Sequence, residues 1–353
     1  MKKVLTIFLG MLIFSVLASF LFTKAQDLEM EAQTEPVLIP ALIYHRIIPK
    51  SLSIYDFTPE QLEGHLQYFK VHGYTPITAL QMMEMLANPE QLPKKPVVLT
   101  FDDGHKSHYT TVFPLLRKHG YRATFFVYTD VIAEKSVKQL TWDELREMSR
   151  EGMDIQSHTR SHPRLTQAKR NESHSAYHKR LQNEIYGSKR ILEEKLQQKV
   201  GLLAYPYGWF NREIEAMAIQ AGYQGIFTVN WGVNLHTENP LRIKRRVMEN
   251  TMSPEDLNQV LTAKPLPIEI IQPEDTVRLG QPPIIKFKTA DPRIDKVEVK
   301  VRSITGLITK DQDGFFTWSG LQRLFPGYHM IIIRGFDEEN QPLINSWGFD
   351  YQR

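Results

Sequence analysis

Four residues in this chain have the types and spacing for hydrolytic chemistry: Asp102 and Asp103 side by side, and His158 and His162 four apart. The aspartates end the apolar run V-V-L-T-F at 97–101 and precede Gly104. Two like charges at the end of a buried run repel unless a cation relieves them or they do different jobs. Neighbouring strand residues point to opposite faces, so the two carboxylates are not expected to flank one glycosidic bond. The histidines follow a second candidate strand, M-D-I-Q-S at 153–157, and Pro163 disfavours helix at His162, so a tight loop is expected there. Each pair alone is ordinary: a D-D-G turn is commonly just solvated, and H-x-x-x-H is commonly two surface histidines. At strand ends of one barrel they become one carboxylate and two imidazoles, a three-ligand set with open positions like those of catalytic zinc sites. A divalent ion there would bring the pKa of a bound water from about 15.7 towards about 7. The remaining carboxylate could accept that water's proton.

A third segment, L-A-Y-P-Y-G-W-F-N at 203–211, ends another apolar run. Pro206 and Gly208 fix an irregular backbone in which the Tyr207 N–H could face a developing oxyanion. Tyr205, Tyr207, Trp209 and Phe210 offer aromatic faces for a sugar, with Pro206 between them. A plain strand-to-helix turn with Asn211 as its cap explains the same residues equally well.

The elements that must position these groups alternate. Candidate strands at 37–44, 97–101, 123–128, 153–157, 202–205 and 225–229 are separated by candidate helices near 58–72, 109–119, 141–150, 174–197 and 211–221. Pro59 in a first turn, the Thr141/Glu144 capping box, and Gly120 and Gly222 as stops mark the helix ends. Strands apolar on both faces, alternating with helices, predict an α/β fold with a parallel sheet, here an irregular (β/α) barrel over 37–263. From 264 to 353 the pattern changes to short β-branched runs divided by turn signals at Asp313-Gly314 and Pro326-Gly327. This predicts a small all-β sandwich of immunoglobulin-like type. It carries no clustered acids or histidines, so a positioning or wall-binding role is expected of it.

Composition narrows the class. The chain has 353 residues, 42% apolar and 24% charged, and a net charge of +3. That describes a globular protein with no electrostatic footprint for nucleic acid. Cysteine is absent, which excludes disulfides, thiolate zinc sites and a lipoprotein anchor. Lys2 and Lys3 precede an apolar run over 4–22, with Ala25 after it. Residues 1–25 therefore read as a signal peptide or an uncleaved membrane anchor, and 26–36 as a polar tether. Export to the outside or to the extracellular face of the envelope is expected, with the cell wall or membrane surface as neighbour.

T-F-D-D-G at 100–104, H-T-R-S-H at 158–162 and Y-P-Y-G at 205–208, in that order, resemble the polysaccharide deacetylase (NodB-homology, carbohydrate esterase 4) family. L-T-W-D-E-L at 140–145 is similar to another recurring segment of that family. The resemblance spans roughly residues 36–250 and implies a NodB-type barrel. It implies Asp102 as general base and Asp103, His158 and His162 as ligands of one divalent ion, zinc first, with cobalt or nickel as alternatives. It also implies the Tyr207 amide as oxyanion donor. Three departures stand out. Ala204 replaces an arginine that pairs with the base in many members, T-V-N-W at 228–231 replaces a D-x-x-x-W-type segment, and no late leucine–histidine motif supplies a general acid. With L-I-Y-H-R at 42–46 and R-I-K-R-R at 242–246, these look more like the branch acting on poly-N-acetylglucosamine of biofilms.

The amine leaving group needs a proton, and imidazole is the suited donor near neutral pH. His45, at the end of the first strand, is the favoured donor and His236 the alternative. The expectation is an exported N-deacetylase acting on an N-acetylglucosamine polymer, poly-N-acetylglucosamine ahead of peptidoglycan or a chitin-like chain. A catalytically inactive cell-surface carbohydrate-binding protein is the competing class, and Ala204 is its main support. An iron oxygenase would also fit two histidines and a carboxylate, but it leaves the second aspartate unexplained.

Overall fold

A computed structural model of the chain describes residues 37–353, apart from 279–282, 303, 305, 320–323, 340 and 353. The expected signal or anchor segment at 1–25 and the tether at 26–36 lie outside the described residues. Among the described residues, no helix is long and apolar enough to cross a membrane.

The expected alternation is present. Strands Ala41–Tyr44, Pro96–Asp102, Thr124–Val127, Asp154–Ser157, Leu202–Ala204 and Gly225–Phe227 pair in that order, every pairing parallel. The sheet curls, and the segment after residue 242 links its two ends. Ile243 bridges Phe227, and Arg246–Val247 pairs with Leu42–Ile43. This is a curled parallel sheet, as the expected barrel requires. The helices outside it begin and end as the sequence dictates. The hydroxyl of Thr141 accepts from Glu144 N while the Glu144 carboxylate accepts from Thr141 N, Asn211 caps the helix Arg212–Gln220, and Gly120 closes its helix at φ 70°. Elements that were not expected include the strands Thr75–Ile77, Asn234–Leu235 and Arg246–Val247, and the helices Ala79–Ala87 and Pro254–Thr262.

Alternation along Pro96–Asp102 sets the chemistry. Val97, Leu99 and Phe101 join the apolar cluster under the helices, whereas Thr100 and Asp102 point into the barrel, where both meet one guanidinium.

Beyond residue 264 the chain forms two sheets around a second apolar cluster that includes Phe287, Trp318, Ile331, Ile333 and Phe349. The longest hairpin, Gly327–Phe336 with Pro342–Gln352, is antiparallel, while Lys264–Pro265 and Thr276–Arg278 run parallel to its second strand. The all-β expectation holds at this level.

Candidate active site

The strand ends bring the expected residues together. Asp103 Oδ1 lies 3.6 Å from His158 Nε2 and 3.4 Å from His162 Nε2. One ligand atom from each of the three residues falls within a 4.8 Å cluster. The expectation that the two aspartates point apart is corrected. Asp103 adopts φ 83°, which breaks strand alternation, and His158 Nε2 is 3.8 Å from Asp102 Oδ2 as well. Both carboxylates therefore face one opening.

Each histidine is oriented from behind. His158 Nδ1 donates to the Ala204 carbonyl at 2.8 Å, which fixes the tautomer and leaves Nε2 as a lone-pair donor. His162 sits in a loop at φ 58°, with no helix across the pair, and its N–H donates to Thr159 Oγ1 at 3.2 Å. Between the two ligands, buried Glu184 of the helix His174–Leu196 accepts from Arg160 N (3.0 Å), Ser161 N (2.8 Å) and Ser161 Oγ (2.6 Å). Burial, with His158 beside it, pushes His162 down to about 4, so its ring is neutral at pH 7.

These residues fit a divalent cation. Asp103 Oδ1 is buried without a hydrogen-bond partner among the described residues, and the Nε2 atoms of His158 and His162 face the same oxygen. Such an N,N,O donor set suits zinc, cobalt or nickel.

Asp102 is 3% exposed and forms a two-pronged pair with Arg245, Nη1 to Oδ1 and Nη2 to Oδ2, both at 2.9 Å. Burial alone would raise its pKa, but Arg245 and then His158 outweigh that and hold it below the ordinary carboxylate value. The guanidinium is itself fully buried. Nε donates to the Thr228 carbonyl at 3.1 Å and Nη1 to Thr100 Oγ1 at 3.0 Å. The rings of Phe126 and Phe227 lie 5.1 and 5.9 Å from its Cζ. The arginine missing at Ala204 is thus supplied by the segment that links the ends of the sheet. Sequence reasoning passed over Arg245, although R-I-K-R-R next to a β-branched residue is the pattern of a short strand with alternate faces.

The candidate proton donors separate. His45 follows the strand Ala41–Tyr44 at the same end as the aspartates, near enough to act electrostatically on both Asp102 and His162. Its Nδ1 is buried without a partner among the described residues, and its carbonyl accepts from His108 Nε2 at 2.8 Å. His236 follows Leu235, which pairs with Leu38. That register puts it at the opposite end of the barrel, roughly 20 Å away at about 3.3 Å per residue.

In the third segment, Tyr207 adopts φ 60° and ψ 3°, and its N–H has no acceptor among the described residues. Gly208 is required beside it, because a Cβ there would stand 2.7 Å from Val229 N. The expectation of Tyr205 and Pro206 as sugar contacts is corrected, since both are buried. The Tyr205 ring is 0% exposed and stacks on Phe210 at 5.2 Å, so neither Tyr205 nor Phe210 offers a free face. Tyr207 is 48% exposed, with its ring 4.7 Å from that of His162. Partly buried Trp209 stands beside it, with the Arg164 guanidinium over both rings at 5.4 and 5.2 Å.

Residues 90–226 match the family profile described as polysaccharide deacetylase. YxkH of Bacillus subtilis (strain 168), a provisionally named polysaccharide deacetylase, is 30% identical over 202 residues, covering 57% of this chain and 68% of that protein. The poly-beta-1,6-N-acetyl-D-glucosamine N-deacetylase of Escherichia coli (strain K12) is 27% identical over 205 residues, covering 49% of this chain but only 30% of its own length. The structure of the Streptococcus pyogenes deacetylase PplD in complex with acetate superposes with a TM-score of 0.57 at 31% identity, over 64% of this chain and 99% of that one.

Proposed function

The chain belongs to the polysaccharide deacetylase family, and we propose that it removes acetyl groups from the N-acetylglucosamine units of a polymer, poly-N-acetylglucosamine foremost. One observation carries this reading. A buried, ionised Asp102 held by Arg245 stands beside the Asp103/His158/His162 cluster, with the Tyr207 N–H on the neighbouring strand end. The polymer is favoured by the similarity to a poly-beta-1,6-N-acetyl-D-glucosamine N-deacetylase.

In this reading Asp103, His158 and His162 hold one divalent ion, zinc first. When bound, such an ion supplies a Lewis acid and makes water a nucleophile near neutral pH. Asp102 takes the proton from the attacking water, and Arg245 keeps that carboxylate charged and aimed. The Tyr207 N–H donates to the oxygen that gains charge as the carbonyl becomes tetrahedral. His45 gives a proton to the departing amine, and the exposed ring of Tyr207, with the partly buried Trp209 beside it, receives the sugar. Arg245 removes the support that Ala204 lent to an inactive binding protein. The basic, apolar N-terminus (Lys2, Lys3, then 4–22) favours export. The β region is read as an immunoglobulin-like accessory at the cell surface.

The test is acetate release from soluble oligomers of poly-β-1,6-N-acetylglucosamine, from a chitin-like oligomer and from peptidoglycan. The β-1,6 oligomer is expected to be turned over fastest. Release from none of the three would overturn the reading, and release from peptidoglycan alone would reassign the polymer.

A further inference from the structure

We propose that the β region is a working part of the active site: Tyr328 and Asp350 are positioning residues that wedge between the loop after His162 and the loop of Tyr207, and fix both. The sequence alone suggested a separate module, but the packing joins them. Tyr328 and Asp350 lie directly opposite each other across the hairpin, so their side chains share a face. Tyr328 is 5% exposed and packs in the barrel's apolar cluster, although it stands on a β-region strand. Its hydroxyl donates to Asn230 Oδ1 at 3.2 Å. Its ring lies 5.6 Å from Phe210, which stacks on Tyr205 at an interplanar angle of 10°. This column of three rings ends two residues from Tyr207.

Asp350 is 1% exposed, with the side chains of Thr166 and Asn211 beside it, yet its Oδ1 has no partner at strict hydrogen-bond geometry among the described residues. Its N–H donates to the Asp275 carbonyl at 2.7 Å, and Asp275 Oδ1 accepts from Arg212 N at 2.8 Å. Gly327 lies against both loops, since a Cβ there would stand 3.1 Å from Gln167 Nε2 and 3.3 Å from the Trp209 ring. Gly348 makes room for the wedge, because a Cβ there would meet the Tyr328 ring at 2.2 Å.

Tyr207 needs such support. A non-glycine residue at positive φ is strained and persists only where its surroundings over-determine it. An oxyanion donor displaced by about 1 Å can lose roughly 100-fold in rate. The ring column from Tyr328 to Tyr205 supplies that surrounding, so the β region acts on kcat as well as on stability.

The experiment compares full-length wild type, Tyr328→Ala and Tyr328→Phe. Tyr328→Leu, which keeps apolar bulk without the ring, stands in should Tyr328→Ala not fold. Hydrogen exchange is followed in residues 203–212 and 163–168 against the strand Pro96–Asp102, with metal content, kcat and KM on a short β-1,6 N-acetylglucosamine oligomer. Tyr328→Ala should exchange roughly 10-fold faster in the two loops and no faster in the strand. Its kcat should fall roughly 10-fold with KM and metal content unchanged, and Tyr328→Phe should restore most of both. Unchanged exchange in the loops, faster exchange everywhere, or a wild-type kcat in the folded variant would overturn the proposal. The kinetic arm rests on the deacetylase reading. Failure of wild type to release acetate would count against that reading, while the exchange arm still judges this one.

Discussion

The mouth of the barrel and its junction with the β region each bury an aspartate, and the two are treated oppositely. Asp102 is 3% exposed and Asp350 1%. At the junction burial dominates and pushes Asp350 up to about 6. At the mouth the same penalty is outweighed by Arg245, brought from 143 residues away, and Asp102 stays charged. Burial alone raises a carboxylate's pKa towards neutrality; holding one below its ordinary value in a dry interior takes a dedicated cation. A buried ion pair is weak as a device for stability, so Arg245 is better understood as what makes Asp102 usable as a base.

If the mouth is built for charge, removing what holds the ion has the largest effect. His158→Ala should lose the metal and fall to background acetate release, and chelation of wild type should do the same, reversed by zinc, cobalt or nickel. Metal analysis beside an acetate assay checks this, and full activity in metal-free protein would refute it. Next in size, Arg245→Met turns Asp102 into a second Asp350, buried without a cation. Acetate release should drop roughly 1000-fold with metal retained, and unfolding free energy should fall by about 3–5 kcal/mol. Wild-type turnover in this variant would erase the contrast between the two aspartates.

A smaller loss is expected of His45→Ala, roughly 100-fold in kcat with metal content unchanged. His236→Ala should behave as wild type. The reverse pattern would move the proton donor to the late loop.

The smallest effect concerns the junction. Asp350 has a folded pKa of about 6 against an ordinary value of 3.8, so between those values the folded state holds a proton that the unfolded chain releases. Its contribution to stability is therefore fully present below about pH 4 and is lost as pH rises towards about 6. Asp350→Asn should flatten that slope in denaturant midpoints measured across the range. An unchanged slope would show that Asp350 is not the group responsible.

Much of this was legible in the sequence, for reasons specific to each residue. The candidate metal-binding triad comes from two strand ends whose apolar runs and Gly or Pro stops are local signals, so its placement could be foreseen. The common orientation of Asp102 and Asp103 could not, because it depends on a left-handed Asp103. Arg245 was hidden because a basic run looks solvated until its pairing partners are known, and those lie on strands far away in sequence. Tyr205 and Phe210 were mistaken for sugar platforms because the segment turns them inward and only Tyr207 and Trp209 outward. Thr75–Ile77 carries Pro76, which weakens a strand pattern. The helix Ala79–Ala87 did leave a signal in its Thr78/Gln81 capping box. The docking of Tyr328 into the barrel had none, since a tyrosine in a strand says nothing about which core it joins.

The most direct measurement sets the two adjacent aspartates against each other. Purified wild type, Asp102→Asn and Asp103→Ala are assayed side by side for bound divalent metal and for acetate released from a β-1,6 N-acetylglucosamine oligomer. The account predicts that Asp102→Asn keeps about one metal ion per chain yet loses roughly 1000-fold in acetate release, whereas Asp103→Ala loses both metal and activity. Metal lost from Asp102→Asn and kept by Asp103→Ala, or near-wild-type release by either variant, would contradict it.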